Sequence, residues 1–219
     1  MDASKLRVLL AEDHTIVREG LRALLDPRDD IEVVGEVSDG ASAVEQALVL
    51  RPDVIVMDLG MPRLNGVDAT AQIKAELPDT RILILSMYQS EDFVRPAIRA
   101  GANGYLLKGS GLSDLVRAIL AVARGDAFFS PEVAGILLSD SSPKPPKPSS
   151  PADALTRRER EVLQLVGEGQ STPEIASHLG LSVKTIEGHR SRIMAKLDCK
   201  NVAGMTRWAI KLGLVSVSE

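Results

Sequence analysis

Residues Asp53 to Pro62 read DVIVMDLGMP: four apolar residues in succession, Val54 to Met57, then a carboxylate, Asp58, with Gly60 and Pro62 close behind it. A short continuous apolar run of this kind suits a strand covered on both faces, and the glycine and proline that follow favour a turn. Asp58 is therefore expected at the mouth of a buried sheet. What it does there depends on which other polar groups reach the same place.

Outward from this stretch, strand and helix patterns alternate five times. Strands are expected at Leu6–Ala11, Ile31–Val37, Val54–Met57, Arg81–Ser86 and Gly104–Leu107, and helices at Thr15–Leu25, Ala41–Leu50, Gly66–Leu77, Glu91–Ala100 and Leu112–Arg124. Five such units imply an α/β fold with a five-stranded, doubly wound parallel sheet of the flavodoxin-like kind. Right-handed crossovers put helices on both faces and bring the loops after the strands to one edge. Glu12, Asp13, Asp58, Ser86 and Lys108 all stand at those strand ends. Each alone has an ordinary explanation as a helix cap or a solvated group. Together they converge on one pocket.

Carboxylates gathered in one pocket repel unless a cation joins them, and an all-oxygen set with few protein ligands suits Mg²⁺. Asp58 can then act as a nucleophile toward phosphorus, with the Ser86 hydroxyl and the Lys108 ammonium serving the phosphoryl oxygens. A phosphatase of the haloacid-dehalogenase type uses the same aspartyl phosphate but needs a second acid two residues on, where Gly60 stands. A nucleotide-binding module would need a Walker lysine loop or a G-x-G-x-x-G turn, and the chain has neither.

The chain of 219 residues is 44% hydrophobic and 26% charged, enough to bury a core in one or two domains. Its single cysteine, Cys199, rules out an internal disulfide and a cysteine-cluster zinc site, which fits a reducing compartment. The apolar runs are shorter than a bilayer span, and Glu12 and Asp13 arrive before a signal-peptide core can form, so a cytoplasmic location without a membrane partner is expected. Ser139 to Ala154 reads SDSSPKPPKPSSPADA, five prolines in sixteen residues with no apolar period, the composition of an extended linker. The expected organisation is a domain over 1–125, a connecting segment and linker over 126–154, and a second domain over 155–219. The first carries 14 basic against 19 acidic residues and the second 10 against 7, or −5 and +3, a weak pointer to a polyanion for the second.

The second domain carries four helix starts. Thr156 to Glu159, TRRE, is a capping box; Thr172 with Pro173 reads as a cap and first-turn proline; Ser182 and Asn201 cap the third and fourth. Gly180 and Gly213 end the second and fourth. The short link LGLS between helices two and three makes a helix-turn-helix. In the third helix Ile186, Ile193, Met194 and Leu197 form the inward stripe, leaving Lys184, Glu187, Gly188, Ser191 and Arg192 outward. Bases in a major groove are one candidate for that polar face, and a protein partner of a small helical interaction domain is the other.

The segments LAEDH, VIVMDLGMP, ILILSM and GYLLKG resemble the receiver domain of bacterial response regulators from about Lys5 to Arg124. The segment LTRREREVLQLVGEGQSTPEIASHLGLSVKTIEGHRSRIMAKL resembles the LuxR-type DNA-binding domain, a pairing typical of the NarL/FixJ subgroup. The resemblance implies a phosphorylation-controlled transcription regulator rather than an enzyme acting on other substrates. Asp58 would accept the phosphoryl group from a sensor histidine kinase, with Mg²⁺ on Glu12, Asp13, Asp58 and the main-chain carbonyl of Gly60. Ser86 and Tyr105 would move on phosphorylation, and Lys108 would contact the phosphoryl group. Glu187, Gly188 and Ser191 would face base edges of promoter DNA, with Lys184, Thr185, His189 and Arg192 on phosphates. Two couplings between the domains compete: the unphosphorylated receiver covers the third helix and releases it, or phosphorylated receivers pair as a homodimer, which the flexible linker favours by holding a second DNA-binding domain near the first. RNA polymerase is a further expected partner.

Overall fold

The computed structural model describes residues 5–139 and 154–215, which fall into two compact units divided between those ranges. In the first, strands β1 (Leu6–Ala11), β2 (Ile31–Val37), β3 (Val54–Met57), β4 (Arg81–Ser86) and β5 (Gly104–Leu107) alternate with helices α1 (Thr15–Leu25), α2 (Gly40–Leu50), α3 (Gly66–Glu76), α4 (Glu91–Arg99) and α5 (Leu112–Ala123). All five strands fall at their expected positions, and helix ends differ by one residue at most.

The sheet is parallel in the order β2-β1-β3-β4-β5-β6, with one strand more than the five expected. The sixth, β6 (Phe128–Phe129), pairs with β5, and a helix, α6 (Pro131–Leu138), follows it. A two-residue strand is too short to show a period of its own, so the start of the connecting segment gave no sign of it. The proline-rich stretch itself, from residue 140 to 153, lies outside the described residues.

Side chains alternate along each strand and divide the core in two. Leu9, Ile55, Met57, Ile82, Ile84 and Tyr105 pack toward α2, α3, α4 and α6; Val8, Leu10, Val54, Val56, Leu83 and Leu106 pack toward α1 and α5. Burial on both faces is why β3 reads as an unbroken apolar run. The chain winds one way from β1 to β2 and the other way through β3, so the crevice beyond the β1 and β3 ends is the topological switch point of the sheet.

The second unit contains α7 (Arg157–Gly167), α8 (Thr172–Leu179), α9 (Val183–Lys196) and α10 (Val202–Lys211) around Val162, Leu163, Val166, Ile175, Ile186, Ile193 and Met205. The capping box of α7 forms as expected, Thr156 N–H donating to Glu159 and Glu159 N–H donating to the Thr156 hydroxyl. The cap of α8 differs: it is Ser171, whose N–H and hydroxyl both bond Glu174, so Thr172 is already the first helical residue. The Thr172 hydroxyl instead accepts from Arg190 at 2.7 Å, tying α8 to α9. Gly180 takes a left-handed φ of 63° and ends α8. Among the described residues no helix is long and apolar enough to cross a membrane.

Because the two units have separate cores, a cavity in one should leave the other's melting unchanged. Ile193→Ala removes a fully buried α9 side chain and should destabilise the second unit by about 2–5 kcal/mol. Calorimetry should show one of two transitions lowered and the other unmoved.

Candidate functional site

Four strand ends deliver the expected cluster. Glu12 follows β1 and is 1% exposed; Asp58 follows β3 and is 5% exposed; Ser86 ends β4 and is fully buried; Lys108 follows β5. Main-chain pairing sets their relative heights, Asp58 N–H donating to the Ala11 carbonyl and Lys108 N–H to the Ser86 carbonyl, both at 2.9 Å.

Lys108 Nζ lies 2.8 Å from Asp58 Oδ2 and 2.8 Å from Glu12 Oε2, and so bridges two buried carboxylates. The other Asp58 oxygen, Oδ1, accepts from Leu59 N–H at 2.7 Å. Burial and the neighbouring Asp58 charge push the Glu12 pKa up, while Lys108 works against them. Burial would lower the Lys108 pKa, but the Asp58 and Glu12 carboxylates outweigh it and raise the value, so the ammonium stays charged.

One cation facing Glu12, Asp13 and Asp58 leaves a surplus of negative charge. Asp13 Oδ1 is buried without a hydrogen bond, although His14 Nδ1 stands 2.7 Å away. Glu12, Asp13, His14 and Asp58 each offer a ligand atom, all within 4.8 Å of one another. An orphaned carboxylate oxygen among further carboxylates suits a hard divalent cation. His14 is the member of this group that sequence reasoning passed over; its place directly after the acidic pair was the available signal.

Two further residues become visible only in the fold. Tyr88 N–H donates to the Ser86 hydroxyl at 3.1 Å, and the Tyr88 carbonyl accepts from the buried Tyr105 hydroxyl at 2.5 Å. The main chain of Tyr88 thus joins the two residues expected to switch. Its ring stacks on Phe93 of α4, with centroids 4.2 Å apart. Burial, followed by the Asp58 charge, raises the Tyr88 pKa. Burial likewise raises that of Tyr105, so its hydroxyl stays a donor. Gly66 opens α3 against the back of Asp58: a Cβ there would stand 2.0 Å from the Asp58 carbonyl oxygen. The Gly60 position, by contrast, has nothing nearer than the Tyr88 ring at 3.9 Å.

In the second unit Lys184, Thr185, Glu187, Ser191 and Arg192 are exposed on α9, with Gly188 half-buried among them. A Cβ at Gly188 would meet only the end of the Arg192 side chain, at 3.8 Å, so packing within the unit does not require the glycine. His189 departs from this face. It is half-buried, its Nδ1 is enclosed without a hydrogen bond, and desolvation followed by the charge of Arg192 lowers its pKa, which favours the neutral ring. Arg190 is half-buried and bonded to Thr172, in line with a stem laid along the core.

Comparison with known proteins matches both units. Residues 8–120 match the response regulator receiver domain, and residues 153–209 match the luxR family of bacterial regulatory proteins. The chain is 43% identical to the transcriptional regulatory protein LiaR of Bacillus subtilis (strain 168) over 193 residues, covering 88% of this chain and 91% of LiaR. Among solved structures it resembles the response regulator ChrA of a heme-sensing two-component system, at 37% identity and a TM-score of 0.53, covering 97% of this chain and 100% of ChrA. It also resembles a structure of two RcsB dimers bound to two parallel DNAs, at 28% identity and a TM-score of 0.58, covering 94% of this chain and 98% of that one.

The two glycines near Asp58 should respond differently to a methyl group. Gly66→Ala must push the Asp58 main chain away and should lower the melting temperature of the first unit by several degrees, whereas Gly60→Ala should be nearly neutral. Thermal denaturation of the two variants side by side checks this.

Proposed function

The chain belongs to the bacterial two-component response regulators that join a receiver domain to a LuxR-type DNA-binding domain, and from that premise we propose that a phosphoryl group on Asp58 controls promoter binding through α9. The observation that carries this is the Lys108 bridge between Asp58 and Glu12 at the sheet's switch point. It sets a cation against a buried carboxylate, where phosphoryl oxygens would arrive. Limits of 1–125 for the phosphoacceptor part and 155–219 for the DNA-binding part belong to the same proposal, with β6 and α6, which pack on the first unit, opening the connection between them.

In the transfer, an Asp58 carboxylate oxygen forms a bond to phosphorus as the bond from phosphorus to the donor breaks, its electron pair leaving with the donor. The donor is a histidine kinase or a small acyl phosphate. Glu12, Asp13 and Asp58, with the carbonyl of Gly60, would hold Mg²⁺, which when bound offsets the charge of the phosphoryl group. Lys108 exchanges its contact with Asp58 for a phosphoryl oxygen. The Ser86 hydroxyl turns toward the same group and releases Tyr88 N–H. Tyr105 holds the displaced loop by its bond to the Tyr88 carbonyl. No side chain at Gly60 can protonate a leaving group, so the group is held as a signal and not turned over as by a phosphatase.

On DNA, α9 enters the major groove with Glu187, Gly188 and Ser191 toward base edges and Lys184, Thr185 and Arg192 toward phosphates. His189 reaches a phosphate only through Nε2, since Nδ1 is enclosed. Phosphorylated receivers pair and deliver two DNA-binding domains to one operator, as two-fold half-sites require. RcsB dimers bound to DNA support that arrangement. RNA polymerase is a further partner of this reading, and the cytoplasm its place.

Mass spectrometry after acetyl phosphate treatment should show one phosphoryl group on the wild type, none on Asp58→Asn, and none with EDTA present. Equal labelling of Asp58→Asn would refute the assignment. For the DNA face, Gly188→Ala should stabilise α9 by about 1 kcal/mol, because alanine is the better helix former. The same change should weaken binding to the operator. Arg192→Ala should weaken all duplexes alike and flatten the salt dependence by about one unit of slope. Calorimetric melting and fluorescence titration at several salt concentrations measure these effects.

A further inference from the structure

The segment that leaves the first unit is bonded to the strand that carries the switch residues. β6 lies in register with β5, Gly104 opposite Phe128 and Tyr105 opposite Phe129. Directly after it, Ser130 N–H donates to the Tyr105 carbonyl at 3.0 Å. Ser130 occupies the N-cap position of α6, where a serine hydroxyl ordinarily accepts from a main-chain N–H of its own helix. In α6 no such bond forms. The hydroxyl instead accepts from Leu107 N–H at 3.3 Å and reaches the Tyr105 carbonyl at 3.4 Å. Ser130 is 3% exposed, so the arrangement is shielded from water. A cap residue has been drawn off its helix and onto the strand, next to the residue that precedes Lys108.

α6 has a second attachment. Arg95 of α4 donates through Nη2 to the Ile136 carbonyl at 3.2 Å. Val133 of α6 is fully buried in the same apolar cluster as Tyr105, Val94 and Ala97. Two residues before Arg95 stands Phe93, stacked on Tyr88. α6 is therefore held by β5 on one side and by α4 on the other. These are the elements that flank the Ser86–Tyr88–Tyr105 linkage.

We propose that α6 is the receiver's output element, and that Ser130 is a positioning residue coupling the state of Tyr105 and Lys108 to it. When Lys108 changes partners, the end of β5 shifts, and Ser130 follows because three of its hydrogen bonds end on the main chain of Tyr105 and Leu107. Release of the Ser86 hydroxyl moves Tyr88, then Phe93 and α4, and with it Arg95. Both changes act on α6, the last described element before the connection to the second unit. This rests on the proposed role of Asp58. It adds a particular route, and such a route stands only if an element changes state together with both ends.

The test uses full-length protein with Mg²⁺, with and without beryllofluoride. Hydrogen exchange of peptides spanning residues 131–138 is followed together with operator affinity, and acetyl phosphate labelling of Asp58 is measured in parallel. Activation should change α6 exchange several-fold in the wild type. Ser130→Ala should be labelled on Asp58 as the wild type is, yet lose most of the activation-dependent gain in DNA affinity, a coupling of the order of 5- to 150-fold. Arg95→Gln should lose part of it, and the double variant no more than the two effects combined. Unchanged α6 exchange in a wild type whose Asp58 is labelled overturns the proposal alone. So does a Ser130→Ala protein that keeps the full gain. An unlabelled Asp58 overturns the phosphoacceptor assignment and this route with it. The wild-type exchange measurement decides the matter even if Ser130→Ala fails to fold.

Discussion

Everything at the receiver's functional edge depends on how one ammonium group is shared. Lys108 faces Asp58 and Glu12 at 2.8 Å each, inside a crevice from which water is largely excluded. Two carboxylates that close would raise each other's pKa and tend to protonate one of the pair. Burial and the Asp58 charge raise the Glu12 pKa, and the shared lysine works against both. Removing one member of such a buried set is expected to be costly, because the charge left behind has no solvent to replace its partner. Asp13 Oδ1, buried without a hydrogen bond and 2.7 Å from His14 Nδ1, adds a further oxygen of the kind a divalent cation takes.

The backbone is what makes so few side chains sufficient. Parallel pairing sets the heights of Asp58 against Ala11 and of Lys108 against Ser86, and Gly66 lets α3 approach the Asp58 carbonyl at a distance no side chain would allow. The same hydrogen-bond framework runs outward from the site. Tyr88 joins Ser86 to Tyr105, and Ser130 joins Tyr105 to α6. In the proposed transfer, a change of partner at Lys108 would fall on main-chain groups already tied to the rim of the sheet. That is a more direct mechanical link than packing alone supplies.

The second unit solves a different problem, which is to present one helix face without exposing its core. Ile186 and Ile193 anchor α9. Lys196 reaches across to buried Glu159 of α7 at 2.7 Å, and Arg190 reaches Thr172 of α8. Burial would raise the Glu159 pKa, but the bonds to Lys196 and Thr156 outweigh it and lower the value, which favours the carboxylate. The four lysines and arginines of α9 thus divide between roles: Arg190 and Lys196 brace the helix, and Lys184 and Arg192 remain outward. Charge counts along the chain cannot separate them.

Sequence alone determined the order and limits of the five βα units, because each strand is a compact apolar run and each helix carries its own period. It also located Asp58, Glu12, Asp13, Ser86 and Lys108, since strand ends of a parallel sheet must meet at one edge whatever the details of packing. The helix-turn-helix was equally legible from its caps and glycines. Tertiary structure decided what local patterns do not encode. β6 exists because β5 offers an unpaired edge, not because two phenylalanines form a strand. Thr172 yields the cap to Ser171, leaving its hydroxyl to Arg190. His189 is half-buried with its Nδ1 enclosed, although the resemblance implied a place on DNA phosphates. Tyr88 and Ser130 matter through main-chain and hydroxyl hydrogen bonds to residues 17 and 25 positions away. Hydrophobic period and turn chemistry act over a few residues and can be read along the chain, whereas the partner of a hydrogen bond is chosen by whichever group the fold brings within about 3 Å.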